Sequence, residues 1–508
     1  MGESITLKGK GLEIESLVAV ARNGAPVVVA DEAWTRISSC RSFVERRIAN
    51  HEPMYGITTG IGEFSETLLT PEQTLEFQKL LIYSHTAGIG DPLPVEVVRG
   101  AICSRINVHC HGHSGGRARV TEAMVDLLNH HITPVVCEKG SVGACGDLSP
   151  MGQVALTLMG EGEAFLDGKR ISSSDALKAR GLSPLTLQPR DGLCIINGSN
   201  MLTAWAALLL HDISDWLKVH DTLAAMTLES LKANMVPYDE RLHTLRGFSG
   251  SGITARNILA LTEGSEILSL PEKKVQDAYS MRSTPQVVGT LRDAVSYARS
   301  QVETELNGVG DNPLFLPKED TILTGANFQG SPVALPMEMV GVGLSMCSVL
   351  SERRLNRLLN PALSVGLPPF LAKKPGLHSG LMLSQYTAGA LVAENRILSH
   401  PAANQSIPAA ADQEDFVSMG FTTSQKTAQM LENAWGILAI EAIAAAQALD
   451  LRAPHKPGYG VEAARLAVRS VVPKLEEDRP LHNDHNGMKS MLLSGSFLTQ
   501  VERVVSLH

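Results

Sequence analysis

Residues 425–451 read QKTAQMLENAWGILAIEAIAAAQALDL, and this stretch decides the fold class. Alanine, leucine, glutamine and glutamate favour helix, and no proline interrupts them. Four further stretches, at 201–217, 293–307, 334–359 and 382–399, are also long and helical, with proline only near their ends. Since no repeat of roughly 20 to 50 residues accompanies them, the sequence predicts a mainly α fold in which long helices form one bundle.

The first 200 residues are more mixed than the bundle that follows. Residues 26–30 (PVVVA) predict a short strand, and residues 71–84 (PEQTLEFQKLLIYS) have apolar residues at helical spacing after an initial proline. Residues 137–147 (CEKGSVGACGD) predict a glycine-rich loop that feeds the next helix. We therefore divide the chain into an N-terminal region, residues 1–200, and a bundle with a helical tail, residues 201–508.

The composition argues against several classes of protein. The net charge is -9 and no run of lysine and arginine stands out, which disfavours nucleic acid as a partner. The N-terminus lacks a basic segment followed by an apolar one, and the most apolar stretch, residues 437–449, is interrupted by Glu441 and is too short to span a membrane. The 7 cysteines contain no CxxC pair. These features predict a soluble, cytoplasmic protein without membrane contact.

The loop Gly143-Ala144-Cys145-Gly146-Asp147 carries the first chemical signal. A thiol just before a helix has its pKa lowered by the positive potential of the helix N-terminus, which makes Cys145 a candidate nucleophile. The simpler interpretation is a turn in which Cys145 is a small buried filler. Composition alone does not decide between the two, and the surrounding segment is needed.

Residues 140–150, GSVGACGDLSP, resemble the signature of the histidine, phenylalanine and tyrosine ammonia-lyases and the related aminomutases. The resemblance extends through YGITTGIG (55–62), SHTAGIG (84–90), INGSN (196–200), QDAYSMRSTPQ (276–286), DNPLF (311–315) and QEDFVSM (413–419). It implies an elongated bundle of long near-parallel helices, with a smaller mixed N-terminal region that carries the reactive loop. It also implies a homotetramer whose active sites draw on three subunits, and a small aromatic amino acid as the substrate.

In this family an Ala-Ser-Gly triplet cyclises into 4-methylidene-imidazol-5-one (MIO), and no metal is used. Here the triplet is Ala144-Cys145-Gly146, with cysteine in place of serine. The resemblance implies that the Gly146 nitrogen attacks the Ala144 carbonyl, and loss of hydrogen sulfide from Cys145 gives the same methylene that loss of water gives from serine. The flanking glycines permit the compressed backbone that ring closure needs. We therefore expect MIO as the cofactor.

The resemblance also assigns roles to residues outside the loop. Tyr55 matches the tyrosine that takes the β-proton, which requires a phenol pKa below its usual value of about 10. Arg282 matches the arginine that binds the substrate carboxylate, for which a planar charged fork is suited. Further matched residues, which hydrogen-bond the MIO or the carboxylate or pack the pocket, are Tyr279, Asn197, Gln276 and Phe328. Taken singly, a tyrosine before glycine anchors a loop and an arginine forms a surface ion pair.

Three residues bear on the choice of substrate. Ser84 and His85 match a pair typical of the histidine enzymes, and so does Glu414 in QEDFVSM. An imidazole has a donor and an acceptor that a histidine and a carboxylate can satisfy, whereas a phenyl ring leaves a buried carboxylate unpaired. The departures from the histidine enzymes are RSTPQ (282–286), Gln329 and Phe416. We expect ammonia elimination from histidine or a histidine derivative, with phenylalanine or tyrosine second and a 2,3-aminomutase third.

Three alternatives remain open at this point. Asp412 and Asp415 are spaced as in a helix cap, which would place Glu414 in the first turn of a helix. The segment 109–113 (HCHGH) has the residue types of a zinc site, although alternate residues diverge on a helix and no second ligand cluster completes the set. A helical scaffold without catalytic activity is the third alternative, and it predicts no turnover and an unmodified loop.

Overall fold

The computed structural model describes residues 3–271 and 273–508, and within them the chain is mainly helical, as predicted. The first helices are α1 (Ile14–Arg22), α2 (Asp31–Ala49), α3 (Pro71–His85), α4 (Val95–His109), α5 (Ala118–Asn129), α6 (Leu148–Leu158), α7 (Ser173–Ala179), α8 (Asp191–Ile196), α9 (Asn200–Ser230) and α10 (Glu240–Arg246). The others are α11 (Ser249–Leu261), α12 (Tyr279–Arg282), α13 (Thr284–Leu306), α14 (Ser331–Leu359), α15 (Met382–Leu398), α16 (Gly420–Leu451), α17 (Tyr459–Arg469), α18 (His482–Leu493) and α19 (Ser496–Glu502).

The strands are short and all lie in the first two thirds of the described chain. They are β1 (Ile5–Leu7), β2 (Val27–Val29), β3 (Ile89–Pro92), β4 (Thr133–Pro134), β5 (Cys137–Lys139), β6 (Glu163–Leu166), β7 (Lys169–Ser172), β8 (Leu314–Leu316) and β9 (Thr321–Leu323). β1 pairs with β2 in parallel, β3 with β5 and β8 with β9 antiparallel, and β4, β6 and β7 form an antiparallel sheet. β2 confirms the strand predicted at residues 26–30.

The chain divides into two compact units. The first comprises the described residues up to His211 together with Ala298–Met337 and Pro401–Gln425. The second comprises the described residues of Asp212–Tyr297, Glu338–His400 and Lys426–His508. The helices with residues in both units are α9, α13, α14 and α16. The domain boundary placed at residue 200 from the sequence stays a prediction.

In the first unit, helix packing places several helix ends around one cavity. α1 packs on α4, and α3, α6 and α8 pack on one another. α4 is buried along most of its length, and its buried polar side chains Arg99, Arg105 and Asn107 are hydrogen-bonded. The end of α3, the start of α6 and the end of α8 all contribute residues to the cavity described below.

A buried ion cluster fixes the loops behind that cavity. Asp311 Oδ2 accepts from Arg105 Nη2 at 2.7 Å and its Oδ1 accepts from Arg190 Nη2 at 2.8 Å, with all three side chains fully buried. Arg105 also donates to the carbonyl oxygen of Asn197 at 2.6 Å. Breaking a buried pair costs about 3–5 kcal/mol because it leaves an unpaired charge. The cluster therefore holds the backbone at Asn197 in one position.

In the second unit, a buried carboxylate ties three long helices together. Glu441 of α16 interrupts the most apolar stretch of the sequence and is fully buried. It accepts from Arg354 Nε of α14 at 2.6 Å and from Thr227 Oγ1 of α9 at 2.9 Å. The charge is thus paired and hydrogen-bonded, which is the condition under which burial is tolerated.

Two of the predicted long helices begin earlier than the sequence pattern indicated. α13 begins at Thr284 and α16 begins at Gly420. Their first turns contain threonine, glycine and proline, which have low helix propensity, so packing and not local preference forms them. α14 and α16 are long and apolar enough to span a membrane, but 72% and 83% of their most apolar windows are buried within the structure, as in core helices.

Candidate active site

The first unit contains a cavity of about 730 Å³ that brings together half of the predicted site residues. Its lining includes Tyr55, Ser84, His85, Cys145, Asn197 and Glu414. A second cavity of about 660 Å³ shares Tyr55, Cys145 and Glu414 with the first and adds Phe328. Because they share these residues, we describe them as two lobes of one site. The apolar lobe is the first cavity, and the polar lobe is the second.

The reactive loop is a tight turn between β5 and α6. Gly143 and Gly146 have φ of 86° and 83°, and Cys145 also lies in the left-handed region, with φ of 53°. Gly198 N donates to the Cys145 carbonyl oxygen at 3.2 Å. A Cβ on Gly146 would lie 2.2 Å from the carbonyl carbon of Gly198, so only glycine fits there. This compressed backbone fits a triplet that closes into a five-membered ring.

Asp147 anchors the turn to the helix that follows Asn197. Its buried carboxylate accepts from Ser141 Oγ at 2.8 Å and from Leu202 N at 2.9 Å. Burial raises the pKa of Asp147 to about 6, and the two donors offset part of that effect. Moving the turn would unpair a buried polar group, so its position is fixed.

Cys145 is the loop residue that faces both lobes. Its thiol donates to Glu414 Oε1, with Sγ 3.1 Å from that oxygen. Burial and the adjacent carboxylate raise the pKa of Cys145 above that of a free thiol. The lowered pKa expected for a nucleophile at a helix start is therefore wrong, and the sulfur is held as a thiol.

Glu414 lies in a hairpin turn and not in a helix. Ala409 N donates to Glu414 O at 2.9 Å, and Glu414 N donates to Ala409 O at 3.1 Å. Between them Ala410 and Ala411 have φ of 50° and 54°. Non-glycine residues in this region cost about 1–2 kcal/mol each, and such strain collects at functional sites. Since α16 begins only at Gly420, the alternative of Glu414 as a first-turn acid of a helix is wrong.

His85 is the last residue of α3, and one of its ring nitrogens is already hydrogen-bonded within the chain. Nδ1 lies 2.8 Å from the Leu81 carbonyl oxygen, which can only accept, so the proton is on Nδ1. Ser84 Oγ lies 3.0 Å from the same nitrogen and donates to Leu81 O at 3.1 Å. Burial lowers the pKa of His85, so the ring is neutral at pH 7 and Nε2 is an acceptor.

Tyr55 lies in the loop between α2 and α3. Its hydroxyl oxygen accepts from Gly62 N at 3.0 Å, a contact that favours the phenolate. Burial nevertheless raises the pKa of Tyr55, and the negative charge of Glu414 raises it further. In the single chain the pKa of Tyr55 is therefore raised, whereas a base at neutral pH requires a lowered pKa.

Asn197 follows α8, and its amide orientation is fixed. Nδ2 donates to the Asn312 carbonyl oxygen at 2.6 Å and to Asp311 Oδ1 at 3.3 Å. Oδ1 is buried without a protein partner, and the residue lines the apolar lobe. Leaving an acceptor buried and unsatisfied is unfavourable, so this atom marks a place where a ligand N–H can bind.

The remaining predicted residues, Gln276, Tyr279 and Arg282, belong to the second unit and line neither lobe. Tyr279 is 72% exposed, and the Arg282 guanidinium lies 4.7 Å from the centre of its ring. Arg282 Nε is buried without a hydrogen-bond partner among the described residues. These three predicted residues are therefore not among those that line the cavity of the first unit.

Sequence reasoning missed the side chains that make the larger lobe apolar. Phe64, Phe77 and Leu80 line it, and Phe64 is 70% exposed. Phe77 and Leu80 lie three positions apart on α3, so the apolar spacing of residues 71–84 could have indicated a second apolar face. No pattern in the sequence marks Phe64, whose place depends on the loop conformation.

The histidine-rich segment 109–113 does not form a metal site. His109 is buried, with Nδ1 3.0 Å from Thr121 Oγ1 and Nε2 2.9 Å from the Cys194 carbonyl oxygen, so both ring nitrogens are taken. Burial lowers the pKa of His109 to about 3. Within residues 3–271 and 273–508, no three His, Cys, Asp or Glu side chains are grouped so as to hold a metal ion.

Known proteins resemble this chain over nearly its full length. The model of the family described as aromatic amino acid lyase matches residues 12–470. Histidine ammonia-lyase of Symbiobacterium thermophilum is 43% identical over 497 residues, 98% of this chain and 98% of that protein. The resemblance predicted from the sequence motifs is therefore confirmed.

Solved structures share the fold. Histidine ammonia-lyase from Trypanosoma cruzi has a TM-score of 0.91 at 35% identity, covering 99% of this chain and 95% of that one. Tyrosine aminomutase from Streptomyces globisporus has a TM-score of 0.95 at 35% identity, covering 99% of each chain. The mainly α fold is confirmed, and both a lyase and a mutase share it.

Proposed function

The chain belongs to the aromatic amino acid lyase family and is a carbon–nitrogen lyase, and we propose that it eliminates ammonia from histidine or a histidine derivative. The product would be a urocanate-type acrylate. The observation that carries this proposal is that His85 and Glu414 line the same cavity as Tyr55 and Cys145. The similarity to histidine ammonia-lyases supports the proposal. Membership in a family of enzymes argues against the alternative of a helical scaffold without catalytic activity.

We propose that Ala144, Cys145 and Gly146 form the MIO, with the sulfur of Cys145 leaving as hydrogen sulfide. The compressed turn and its buried anchor at Asp147 support this assignment. Once formed, the group supplies an electron-poor alkene that activates the substrate for loss of its amino group. The intact mass of the chain should then be lower by one water and one hydrogen sulfide.

The junction of the two lobes suits the reacting carbon and the amino group. Tyr55 lines both lobes, and we assign to its hydroxyl the removal of the β-proton. The unpartnered Oδ1 of Asn197 is placed to accept an N–H of the substrate amino group. Phe328 lines the polar lobe and packs against the amino acid backbone in this proposal.

The apolar lobe suits a ring that contains nitrogen. Nε2 of His85 accepts a ring N–H, and Ser84 helps to hold the histidine in place. The carboxylate of Glu414 pairs with the other ring nitrogen when that nitrogen is protonated. Phe77 and Leu80 cover the ring faces. A phenyl ring would leave His85 and Glu414 without ligand partners, and each unsatisfied group costs about 1–3 kcal/mol.

We further propose a homotetramer in which Gln276, Tyr279 and Arg282 of a neighbouring copy complete each site. Arg282 would bind the substrate carboxylate, and its unpartnered buried Nε supports this role. The three residues line neither lobe, and Tyr279 is exposed, which suits a residue that meets another chain.

Exposed apolar stripes on α15 and on the part of α14 that lies in the second unit support the same proposal. On α14 the exposed residues Met339, Val342 and Met346 follow at spacings of three and four, which is the spacing of a helix-packing seam. On α15 the exposed large hydrophobic residues are Leu383, Tyr386 and Ile397. We propose that the assembly is cytoplasmic, and the cysteines, all unpaired, suit a reducing compartment.

The substrate is tested by following acrylate formation through its ultraviolet absorbance. Histidine, its two N-methylated forms, phenylalanine and tyrosine are compared at equal concentration. We expect the highest kcat/KM for histidine and a lower value for a methylated form that has lost the N–H bound by His85. Preferential use of phenylalanine or tyrosine would contradict the roles of His85 and Glu414.

Two other activities of the same family remain as second candidates. The tyrosine aminomutase similarity favours a 2,3-aminomutase, and RSTPQ at residues 282–286 favours a phenylalanine or tyrosine ammonia-lyase. Product analysis separates them, because a mutase returns the amino group to the β-carbon. A β-amino acid as the main product would replace the lyase assignment by the mutase.

A further inference from the structure

Gln286, the last residue of the segment RSTPQ, has no role in the proposed function. It lies in the first turn of α13 and belongs to the second unit, like Arg282. Its Oε1 is buried and has no hydrogen-bond partner within residues 3–271 and 273–508. Leaving a buried acceptor unsatisfied is unfavourable, so this atom marks a place where a ligand can donate a hydrogen bond.

Gln286 lies on the same helical face as Arg282 and Tyr279. Only Ser283 separates α12 from α13, and helical backbone hydrogen bonds continue through it. Ser283 N donates to the Tyr279 carbonyl oxygen at 2.8 Å, and Val287 N donates to the Ser283 carbonyl oxygen at 3.1 Å. Residues three and four apart on a helix are neighbours, with Cβ atoms about 5–6 Å apart. The spacings of three and four therefore place Tyr279, Arg282 and Gln286 in one row.

We propose that Gln286 is a substrate-binding residue whose Oε1 accepts an N–H of the substrate amino group. The inference rests on the proposed function, because it extends the part of the site that a neighbouring copy supplies. Arg282 binds the substrate carboxylate there, and in an α-amino acid a single carbon joins the carboxylate to the amino group. A side chain one helical turn from Arg282 is therefore near the amino group when the carboxylate is bound.

The number of acceptors matches the amino group that has to react. A neutral amino group has two N–H bonds and one lone pair. Asn197 Oδ1 accepts one N–H in the proposed function, and Gln286 Oε1 accepts the other. The direction of the lone pair is then fixed, which is the positioning that a reaction at the nitrogen requires. A glutamine amide turns easily about its last side-chain bond, so Oε1 reaches the ligand without movement of the helix.

A neutral amide is also compatible with the adjacent arginine. A carboxylate at position 286 would form an ion pair with Arg282, one helical turn away, and would compete with the substrate carboxylate. An amide oxygen accepts an N–H and leaves the guanidinium charge for the substrate. Arg282 and Gln286 together therefore recognise both ends of an α-amino acid.

The experiment measures the binding of two ligands that differ only in the amino group, L-histidine and 3-(imidazol-4-yl)propanoate. Isothermal titration uses the assembled enzyme with Tyr55→Phe as the parent chain, in which histidine turns over slowly. Gln286→Met keeps the length of the side chain but has no oxygen acceptor. We expect it to weaken histidine binding by at least about 10-fold and to change 3-(imidazol-4-yl)propanoate binding by less than about twofold, because only histidine has the N–H.

Two further variants make the result specific. Gln301→Met is the matched control, since Gln301 lies on the same helix and lines neither lobe. It should leave the binding of both ligands unchanged. Gln286→Asn keeps the amide but withdraws its oxygen by one methylene, and its effect should likewise fall on histidine alone.

The outcomes separate this inference from the proposed function. An equal loss for both ligands in Gln286→Met would mean that Gln286 only positions Arg282, and the inference would be wrong. Histidine bound by Gln286→Met as tightly as by the parent chain would also overturn it. In both cases the proposed function stands if the wild-type chain forms acrylate from histidine. A wild-type chain that forms none would overturn the proposed function, and the inference with it.

Discussion

Within a single chain, the surroundings of Tyr55 oppose its proposed role as the base that removes the β-proton. Burial and the negative charge of Glu414 raise the pKa of Tyr55, whereas a base acts as the phenolate. Below that pKa the phenolate fraction rises about tenfold per pH unit. We therefore expect kcat/KM to rise with pH through the neutral range and to level off only at alkaline pH.

Tyr55→Phe tests this assignment. The variant should lose at least about 100-fold in kcat and lose the rise of kcat/KM with pH, because no phenol remains to take the β-proton. Its mass deficit should equal that of wild type, since Tyr55 has no part in forming the MIO. A variant with wild-type pH dependence would exclude Tyr55 as the base.

His85 is the second residue whose role follows from its contacts. Its Nδ1 proton is bound by Leu81 O, so Nε2 is an acceptor for a ring N–H. His85→Leu should lower kcat/KM for histidine relative to that for phenylalanine by at least about 100-fold, because a site that hydrogen-bonds its ligand discriminates strongly. Steady-state kinetics with both amino acids measures the ratio.

Tyr83→Phe is the matched control for that variant on the same helix. Tyr83 donates to Glu161 at 2.6 Å and lines neither lobe. Its loss should leave the ratio between the two substrates unchanged. An equal fall in both variants would mean that the effect comes from disturbing α3 and not from the ring nitrogen.

At the scale of the element, the turn at residues 143–146 depends on one close backbone contact. A Cβ at Gly146 would lie 2.2 Å from the Gly198 carbonyl carbon, and the residue also has φ of 83°. Gly146→Ala should therefore open the turn and prevent cyclisation, so that Cys145 keeps its sulfur. Intact mass should show no deficit, and the thiol should react with a maleimide after unfolding.

Gly168→Ala separates steric clash from backbone strain. Gly168 has a similar φ of 75°, but nothing lies within 4 Å of a Cβ built there. Its replacement costs only the left-handed strain of about 1–2 kcal/mol. This variant should mature fully, whereas failure of both variants would point to a general loss of stability.

Elements differ in how far the sequence predicts them. The helix predicted at residues 71–84 is found as Pro71–His85 because its apolar spacing is local and a capping box at Thr70 starts it. The hairpin that carries Glu414 could not be predicted. Alanines at 410 and 411 have no preference for the left-handed region, so packing imposes that conformation.

At the scale of the whole molecule, the sequence motifs name the site residues but not their arrangement. Tyr55, His85, Cys145, Asn197 and Glu414 meet in one cavity although they are distant in sequence, and only a family resemblance linked them beforehand. Gln276, Tyr279 and Arg282 belong to the other unit. A motif records which residues a reaction needs, and it does not record which copy of the chain supplies each one.

Mixing two inactive chains tests whether copies share sites. Tyr55→Phe and Arg282→Ala are co-expressed with different tags, and assemblies that carry both tags are purified. If Tyr55 and Arg282 of each site come from different copies, random assortment gives about one quarter of sites with both wild-type residues. We therefore expect activity to return to a similar fraction of wild type. Size-exclusion chromatography should show the four-chain assembly in the same sample.

The matched control pairs Tyr55→Phe with Glu414→Ala, since both residues line the same cavity of one chain. Every site in that mixture carries one substitution or the other, so activity should stay near that of the single variants. Recovery in the first mixture alone would place Arg282 on a neighbouring copy. Recovery in neither mixture would mean that one chain supplies both Tyr55 and Arg282, and the shared-site proposal would be wrong. Recovery in both mixtures would contradict the cavity itself, because Tyr55 and Glu414 would then act from different copies.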